Sequence, residues 1–506
     1  MTTRRQFLGT ALLGAGVPGA GVSAAQAPRP AATPTRPPNI IFVLIDDMGW
    51  KDVGFNGSRF YETPNIDALA ARGMRFTNAY AACPVCSPTR ASIMTGKYPA
   101  RLGITNYLPG THHLPHSKLI APVSRQFLPL EETTIAEELR IAGYVSAAIG
   151  KWHLGGPQYY PEKQGFDVNV AGTDAGQPKS HFFPQWSGSP PISAPQGAYL
   201  ADTLTDAAEE FIQKNARRTF FLYLAHFGVH TPLEGKPALE RHYREKIEKK
   251  DPQNNPTYAA MVQSVDESVG RLVKRVEAEG LTKDTVFIFT SDNGGLNAAE
   301  FKGMAATSNA PLKAGKGFLY EGGIREPLCI MWPGVTKSGS ISEVPVTSTD
   351  FYPTMARMAG VTRTIGAPRD GVSLVSVLRG AGSLKRDALY WHYPHYSNQG
   401  GRPGAAIRVA DWKLIKWYED DSVELYNLNL DPEEAHNVAI TSPDIAGVLK
   451  GKLDKWLDAM NPAMPTVNPE YDHERETEGL APAIREQLVK GELPGPTAVA
   501  AREKLP

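Results

Sequence analysis

Cysteine is scarce: three residues in 506, at Cys83, Cys86 and Cys329. Three cannot build the multi-bridge framework of a disulfide scaffold, so the fold must rest on a buried core. Net charge is also missing. Lys+Arg and Asp+Glu both total 53, which leaves no global positive field to attract a nucleic acid. A membrane-spanning run is lacking too, because the apolar stretch near the N-terminus is interrupted by Gly and Pro. No internal repeat is visible, which excludes a solenoid. What remains is ordinary for a large soluble protein: 42% hydrophobic and 21% charged residues. The length allows a sizeable core and more than one domain.

The N-terminus reads as an address. Arg4-Arg5 precede Phe7-Leu8, a Gly/Ala-rich stretch follows, and Ala25-Gln26-Ala27 fits a cleavage site. Residues 1–27 thus resemble a twin-arginine signal peptide, and 28–38 a Pro-rich linker. The expected destination is a bacterial periplasm or beyond, with the twin-arginine export machinery as a partner.

From Asn39 the chain alternates apolar runs with amphipathic ones. Strands are expected at Asn39–Ile45, Tyr144–Ile149, Phe220–Ala225 and Val286–Thr290, and helices from Pro64, over Thr134–Ala142, Ala201–Asn215 and Tyr258–Glu279. Strands apolar on both faces and alternating with helices imply a mostly parallel sheet flanked by helices, here residues 39–384. Short strands and a helix over 385–460 predict a smaller C-terminal antiparallel-sheet subdomain. A tail rich in Pro and charge fills 461–506.

Polar residues cluster directly after the strands: Asp46-Asp47, Lys151-Trp152-His153, His226 with His230, and Asp292-Asn293. In open parallel sheets the ligand crevice lies at the strands' carboxyl ends, so these clusters are expected to converge. Asp46, Asp47, Asp292 and Asn293 offer hard oxygen donors, suited to Ca²⁺ or Mg²⁺ rather than zinc. Lys151, His153, His230 and Lys316 are candidates for anion binding and proton transfer. His226 reads as a hydrogen-bonded wall residue. Cys86 opens Cys86-Ser-Pro-Thr-Arg90, where Pro88 fits the first position of a helix that Gly96 ends. A thiol at a helix N-terminus with Arg90 one turn in is either a low-pKa nucleophile or the precursor of another group.

The Cys86–Gly96 segment resembles the signature of the type I sulfatases, and Gly143–His153 resembles their second signature, with Ser146 in place of the more usual Thr. The Asp-Asp, Asp-Asn-Gly, His230-Thr-Pro232 and Lys316…Glu321-Gly-Gly segments recur in family order, and the likeness extends through Leu425-Tyr-Asn-Leu and Asp431-Pro-Glu-Glu434. The resemblance implies an alkaline-phosphatase-like α/β fold and hydrolysis of sulfate esters. It further implies oxidation of Cys86 to Cα-formylglycine by a formylglycine-generating maturase before folding. On this reading Cys86, Arg90, Lys151, His153, His230 and Lys316 are catalytic. Asp46, Asp47, Asp292, Asn293 and the modified Cys86 hold the cation. One hydroxyl of the hydrated aldehyde attacks sulfur and the second expels sulfate.

Three alternatives stay open. Cys83-Pro-Val-Cys86 is a C-x-x-C that would suit a redox pair or half a zinc site. A phosphonate or phosphodiester hydrolase of the same superfamily would carry the same motif. A non-catalytic sulfated-glycan binder would keep the pocket without the chemistry. The substrate is expected to be a small-molecule or oligosaccharide sulfate ester. Asp174, Gln177, His181, His392, His395 and Arg402 are candidates for its contacts, with packing as the other reading of the same residues.

Overall fold

The run Asn39–Ile45 forms strand β1, and all seven of its residues are buried. Ile41, Val43 and Ile45 pack into one core and Ile40, Phe42 and Leu44 into another, as a two-residue period requires of a strand covered on both faces. The structure is a computed structural model that describes residues 36–110, 114–184, 192–248, 251–300, 302–361, 366 and 369–494. The signal-like segment 1–27 and residues 28–35 of the linker lie outside the described residues.

The other strands are β2 (Met74–Tyr80), β3 (Leu119–Ile120), β4 (Val145–Gly150), β5 (Val168–Val170), β6 (Phe220–Ala225), β7 (Thr285–Ser291), β8 (Arg325–Met331), β9 (Ser340–Ser342), β10 (Val346–Thr347), β11 (Leu389–Tyr393), β12 (Gly404–Val409), β13 (Trp412–Trp417), β14 (Val423–Asn427) and β15 (Thr466–Val467). The helices are α1 (Pro64–Arg72), α2 (Cys86–Thr95), α3 (Pro99–Leu102), α4 (Ile135–Ile141), α5 (Leu200–Lys214), α6 (Pro237–Glu245), α7 (Pro256–Ala278), α8 (Glu321–Ile324), α9 (Phe351–Met358), α10 (Val375–Leu378), α11 (Pro443–Met460) and α12 (Pro482–Val489).

Among the described residues the main sheet runs β10-β2-β8-β7-β1-β6-β4-β5, with β9 also on β2. Its centre is parallel: β1 pairs with β6 and β7, and β6 with β4. Only β8 reverses, against β7 and β2. Helices α1, α5 and α7 cover one face through Ile66, Leu204 and Val265, and α2, α4 and α9 cover the other through Ile93, Leu139 and Met355. Local signals set the helix starts. Thr134 and Glu137 form a reciprocal capping box on α4, and Asn255 Oδ1 accepts the Thr257 and Tyr258 N–H groups ahead of α7. Loss of such a cap costs about 1 kcal/mol.

One expectation is corrected. Helix α2 begins at Cys86, capped by the extended Val85, so Pro88 occupies its third position rather than its first. The first-turn N–H groups have no intrahelical acceptor, so proline is tolerated there as well.

Strands β11 to β14 form an antiparallel meander. Leu449, Leu453 and Trp456 of α11 seal it against Ala405, Ile407, Leu414 and Leu425. Both sheets belong to one compact unit beginning at Pro37. The tail wraps back: β15 pairs with β3, and Ile484 and Leu488 of α12 enter the main core. Among the described residues no helix is long and apolar enough to cross a membrane.

Candidate active site

Register places the site. Ile45 pairs with Ser291, Leu44 with Ala225, and Gly150 with Ala225. Four adjacent strands therefore deliver Asp46-Asp47, Asp292-Asn293, His226 and Lys151 at one level of the sheet. Helix α2 sets Cys86 against them: a ligand atom from each of Asp46, Cys86 and Asp292 falls within a 4.8 Å cluster, as does one from each of Asp46, Asp47 and His230.

The cations pair with the carboxylates, while Arg90 Nη2 keeps no hydrogen-bond partner and faces Asp46 Oδ1 at 3.8 Å. Arg90 Nε donates to Asp292 Oδ2 at 2.8 Å and its Nη1 to the Lys151 carbonyl at 2.8 Å. Lys151 Nζ donates to Asp46 Oδ2 at 2.7 Å, and Lys316 Nζ to Asp47 Oδ2 at 2.8 Å. Asn293 Nδ2 donates to Asp47 Oδ1 at 2.8 Å. All of these side chains are buried. Three cations (Arg90, Lys151, Lys316) thus face three carboxylates (Asp46, Asp47, Asp292).

Two oxygens on this floor, Asp46 Oδ1 and Asn293 Oδ1, are buried without a hydrogen-bond partner. A buried lone acceptor costs about 1–3 kcal/mol, and a hard cation would satisfy both. The donor set therefore fits Ca²⁺ or Mg²⁺. Burial, with repulsion from Asp292 and Asp47, pushes the Asp46 carboxyl up to about 8 despite Lys151. Burial also opposes ionisation of Asp47, but His230 and Lys316 outweigh it and hold that carboxyl below its usual range. Asp47 sits at φ 61° and His153 at φ 59°, conformations that side chains beyond glycine adopt at a cost and that cluster at working sites.

The thiol of Cys86 is raised, chiefly by burial, against the pull of Lys151 and Lys316. Cys83 and Cys86 are both free thiols. Thr89 Oγ1 accepts from the Cys83 N–H and donates to the Cys83 carbonyl, tying the turn before α2 into place.

Both histidines are held neutral. Burial, then Lys151, lowers His153 well below the usual range. Its Nε2 is bonded to the Leu108 carbonyl, so Nε2 carries the proton and the buried Nδ1, which has no partner, keeps its lone pair. Leu108 is itself held by Ser87 Oγ, which accepts its N–H at 3.1 Å. His230 is lowered to about 3 by burial and by Lys316 and Lys151, against Asp47. Its Nδ1 donates to the Thr231 carbonyl at 2.8 Å, so Nε2 accepts from Lys316 Nζ at 2.9 Å.

The remaining sequence candidates separate. Asp174 and Gln177 are exposed, on a loop whose Gly176 lies against His153; an added Cβ would sit 2.7 Å from the ring. His181 is buried behind His230, donating from Nε2 to its carbonyl at 3.1 Å. His392 and His395 are committed to Tyr418 Oη at 2.7 Å and Thr105 Oγ1 at 2.8 Å. Arg402 pairs with Glu419 at 3.1 Å and stacks on Trp417. His226 contacts Ser268 Oγ at 2.9 Å and lines the wall.

Sequence reasoning missed the support beneath Asp47. Tyr258 Oη donates to Asp52 Oδ2 at 2.6 Å and approaches the Asp47 carbonyl at 3.1 Å, while Thr307 and Gln253 donate to Asp52 Oδ1. No local pattern marks these residues, which meet only through the fold.

Comparison with known proteins gives the family. A family model described as Sulfatase matches residues 38–361, and one described as N-sulphoglucosamine sulphohydrolase, C-terminal, matches 314–461. A sulfatase of Formosa agariphila is 32% identical over 83% of this chain and 88% of its own length. Human N-acetylgalactosamine-6-sulfatase is 34% identical over 80% of this chain and 76% of its own length. The solved structure of Ps i-CgsB in complex with k-i-k-neocarrahexaose superposes with a TM-score of 0.71 at 32% identity, covering 83% of this chain and 93% of that one.

Proposed function

The chain belongs to the sulfatase family and is a sulfuric ester hydrolase; from that premise we propose that it is an exported, formylglycine-dependent carbohydrate sulfatase. The observation that carries the reading is the setting of Cys86: a buried side chain at the N-terminus of α2, ringed by Arg90, Lys151, Lys316, Asp46 and Asp292. Such a thiol makes sense as a precursor.

Oxidised to formylglycine and hydrated, position 86 would supply two geminal hydroxyls, one to attack sulfur and one to expel sulfate. Asp46, Asp47, Asp292, Asn293 and position 86 would hold Ca²⁺ or Mg²⁺, which would supply Lewis-acid polarisation of the sulfate oxygens. Asp292 receives the proton of the attacking hydroxyl. Arg90 fixes Asp292 and Lys151 fixes Asp46, and both offset charge developing on the sulfate. Lys316, with His230 accepting from it, holds the proton that the departing alcohol takes. His153 Nδ1, the bare nitrogen, removes the proton of the second hydroxyl as it collapses. Each such electrostatic contact is worth about 2.7–4 kcal/mol at a developing charge.

The named relatives include proteins of sulfated sugars, which supports a carbohydrate ester. The loop bearing Asp174 and Gln177 is the site-proximal candidate for sugar contacts. The arginine pair at 4–5 supports twin-arginine export to the periplasm, after maturase action in the cytoplasm.

The test is a panel of defined sulfated mono- and oligosaccharides, an aryl sulfate and a phosphodiester, assayed in H₂¹⁸O. Sulfate esters should turn over faster than the phosphodiester, with ¹⁸O appearing in sulfate and none in the alcohol. Label in the alcohol would contradict S–O cleavage. A faster phosphodiester would favour the phosphodiesterase reading, and failure of the fully modified, Ca²⁺-loaded protein on every ester would favour a glycan binder.

A further inference from the structure

Lys316 belongs to a strap, residues 313–323, that bonds the segments carrying Asn293 and Cys86. Its Lys316 N–H donates to the Gly295 carbonyl at 3.1 Å, beyond Asn293, and its Gly317 N–H to the Pro84 carbonyl at 2.9 Å, ahead of Cys86. Gly294 donates back to the Gly323 carbonyl at 3.0 Å, an approach so close that a Cβ on Gly294 would lie 1.9 Å from the Gly322 carbonyl oxygen. The strap closes on itself through Gly322 N–H to the Lys313 carbonyl at 2.9 Å.

One residue of the C-terminal subdomain clamps both ends of this strap. Glu434 Oε2 accepts the Glu321 N–H at 2.6 Å, and the Glu434 carbonyl accepts from Lys313 Nζ at 3.1 Å. Lys413, fully buried, bridges Glu434 Oε1 at 2.9 Å and Glu321 Oε1 at 3.0 Å. The turn before Glu434 aims it inward. Asp431 accepts the Ala435 and His436 N–H groups at 3.0 and 2.9 Å, and Glu434 adopts φ 54°. Glu433 beside it is exposed while Glu434 is fully buried.

A buried ion pair is poor value as a source of stability, since apolar residues of like volume often serve as well or better. Its geometry here has a more specific consequence. We propose that Glu434 is a positioning residue for catalysis, holding the Lys313–Gly323 strap so that Lys316 Nζ stays on His230 and Asp47. This rests on the role given to Lys316 above. Glu434 bonds Lys313, Glu321 and Lys413, none of them placed at the reacting group; it acts through the backbone that carries Lys316.

The test compares kcat and KM for a sugar sulfate, a poor leaving group, and for a nitroaryl sulfate, a good one. The variants are Glu434→Gln, Lys413→Met/Glu434→Gln, Lys316→Ala and the control Glu433→Gln, each checked for thermal unfolding. The double variant removes the Lys413–Glu434 pair as a unit, leaving Glu321 to Tyr80 and Arg325, and stands in should the single variant fail to fold. Either should lose about 10–100-fold in kcat on the sugar sulfate, as displaced supporting contacts do, with little loss on the nitroaryl ester and an unchanged KM. Glu433→Gln should match the parent. In a Lys316→Ala background the Glu434 substitution should add little. An equal loss on both esters, no loss, or full additivity with Lys316→Ala would overturn the proposal. Indifference of Lys316→Ala to the leaving group would instead sink the role assigned to Lys316, leaving the coupling between the two sites to be judged by additivity.

Discussion

Lys316 Nζ lies 2.9 Å from His230 Nε2, with Asp47 Oδ2 2.8 Å from the same ammonium. Burial works against the lysine's charge, but Asp47 and its neighbours outweigh it and raise its pKa, while His230 is lowered to about 3. The shared proton therefore rests on the lysine. Replacing Lys316 by Ala is expected to steepen the dependence of kcat/KM on leaving-group pKa, since poor leaving groups need the proton most. A series of aryl sulfates of graded phenol pKa measures the slope, and an unchanged slope would refute the assignment.

A second prediction concerns position 86. Cys86→Ser supplies one hydroxyl in place of two. It should release about one equivalent of alcohol and then stall with sulfate bound covalently, because the escape step needs the second oxygen. His153→Ala in the modified enzyme should stall at the same stage. Intact-protein mass spectrometry after mixing with substrate reads the adduct; steady turnover by Cys86→Ser would contradict the scheme.

Chelation provides a third test. Asp46 Oδ1 and Asn293 Oδ1 have no protein donor, and three carboxylates share the floor. Removing the cation should abolish activity and lower the midpoint of thermal unfolding. Re-addition at 1,000 times its Kd should restore about 4 kcal/mol. Calcium and magnesium titrations followed by unfolding temperature separate the two ions, and an unfolding curve indifferent to chelator would remove the cation from the site.

A fourth prediction uses His226, buried against Ser268 and lowered by burial from 6.5 to about 4. The folded protein keeps this imidazole neutral, whereas the unfolded chain protonates it below pH 6.5. Stability from this group is complete above pH 6.5 and declines by about 3 kcal/mol as pH falls to 4. His226→Gln should flatten the acid limb of stability against pH by up to one proton, read from urea midpoints at successive pH values. A limb of unchanged slope would contradict the sign.

Much of this was legible in the sequence. The apolar run Asn39–Ile45 ends where Asp46 begins, and the same grammar marks β4, β6 and β7, because a doubly covered strand must be apolar and a ligand crevice must be polar. Pro88 misled by two positions because the whole first turn of a helix can do without N–H donors. What could not be read depends on contacts between distant residues. Asp52 meets Tyr258 206 positions away, and Leu108 fixes the tautomer of His153 across 45. The run Trp391–Tyr396 reads equally well as sugar contacts or packing. In the structure His392 spends both ring nitrogens, and His395 its Nε2, on protein partners.

The most direct test of the central claim is the chemical state of position 86 in active protein. Mass spectrometry of the tryptic peptide Phe76–Arg90, across preparations made with and without maturase, gives the aldehyde fraction. Specific activity on a sulfate ester should rise in proportion to that fraction and vanish with it, while the unmodified protein stays folded. Full activity from a peptide carrying only free Cys86, or a Cys83–Cys86 disulfide, would contradict the account.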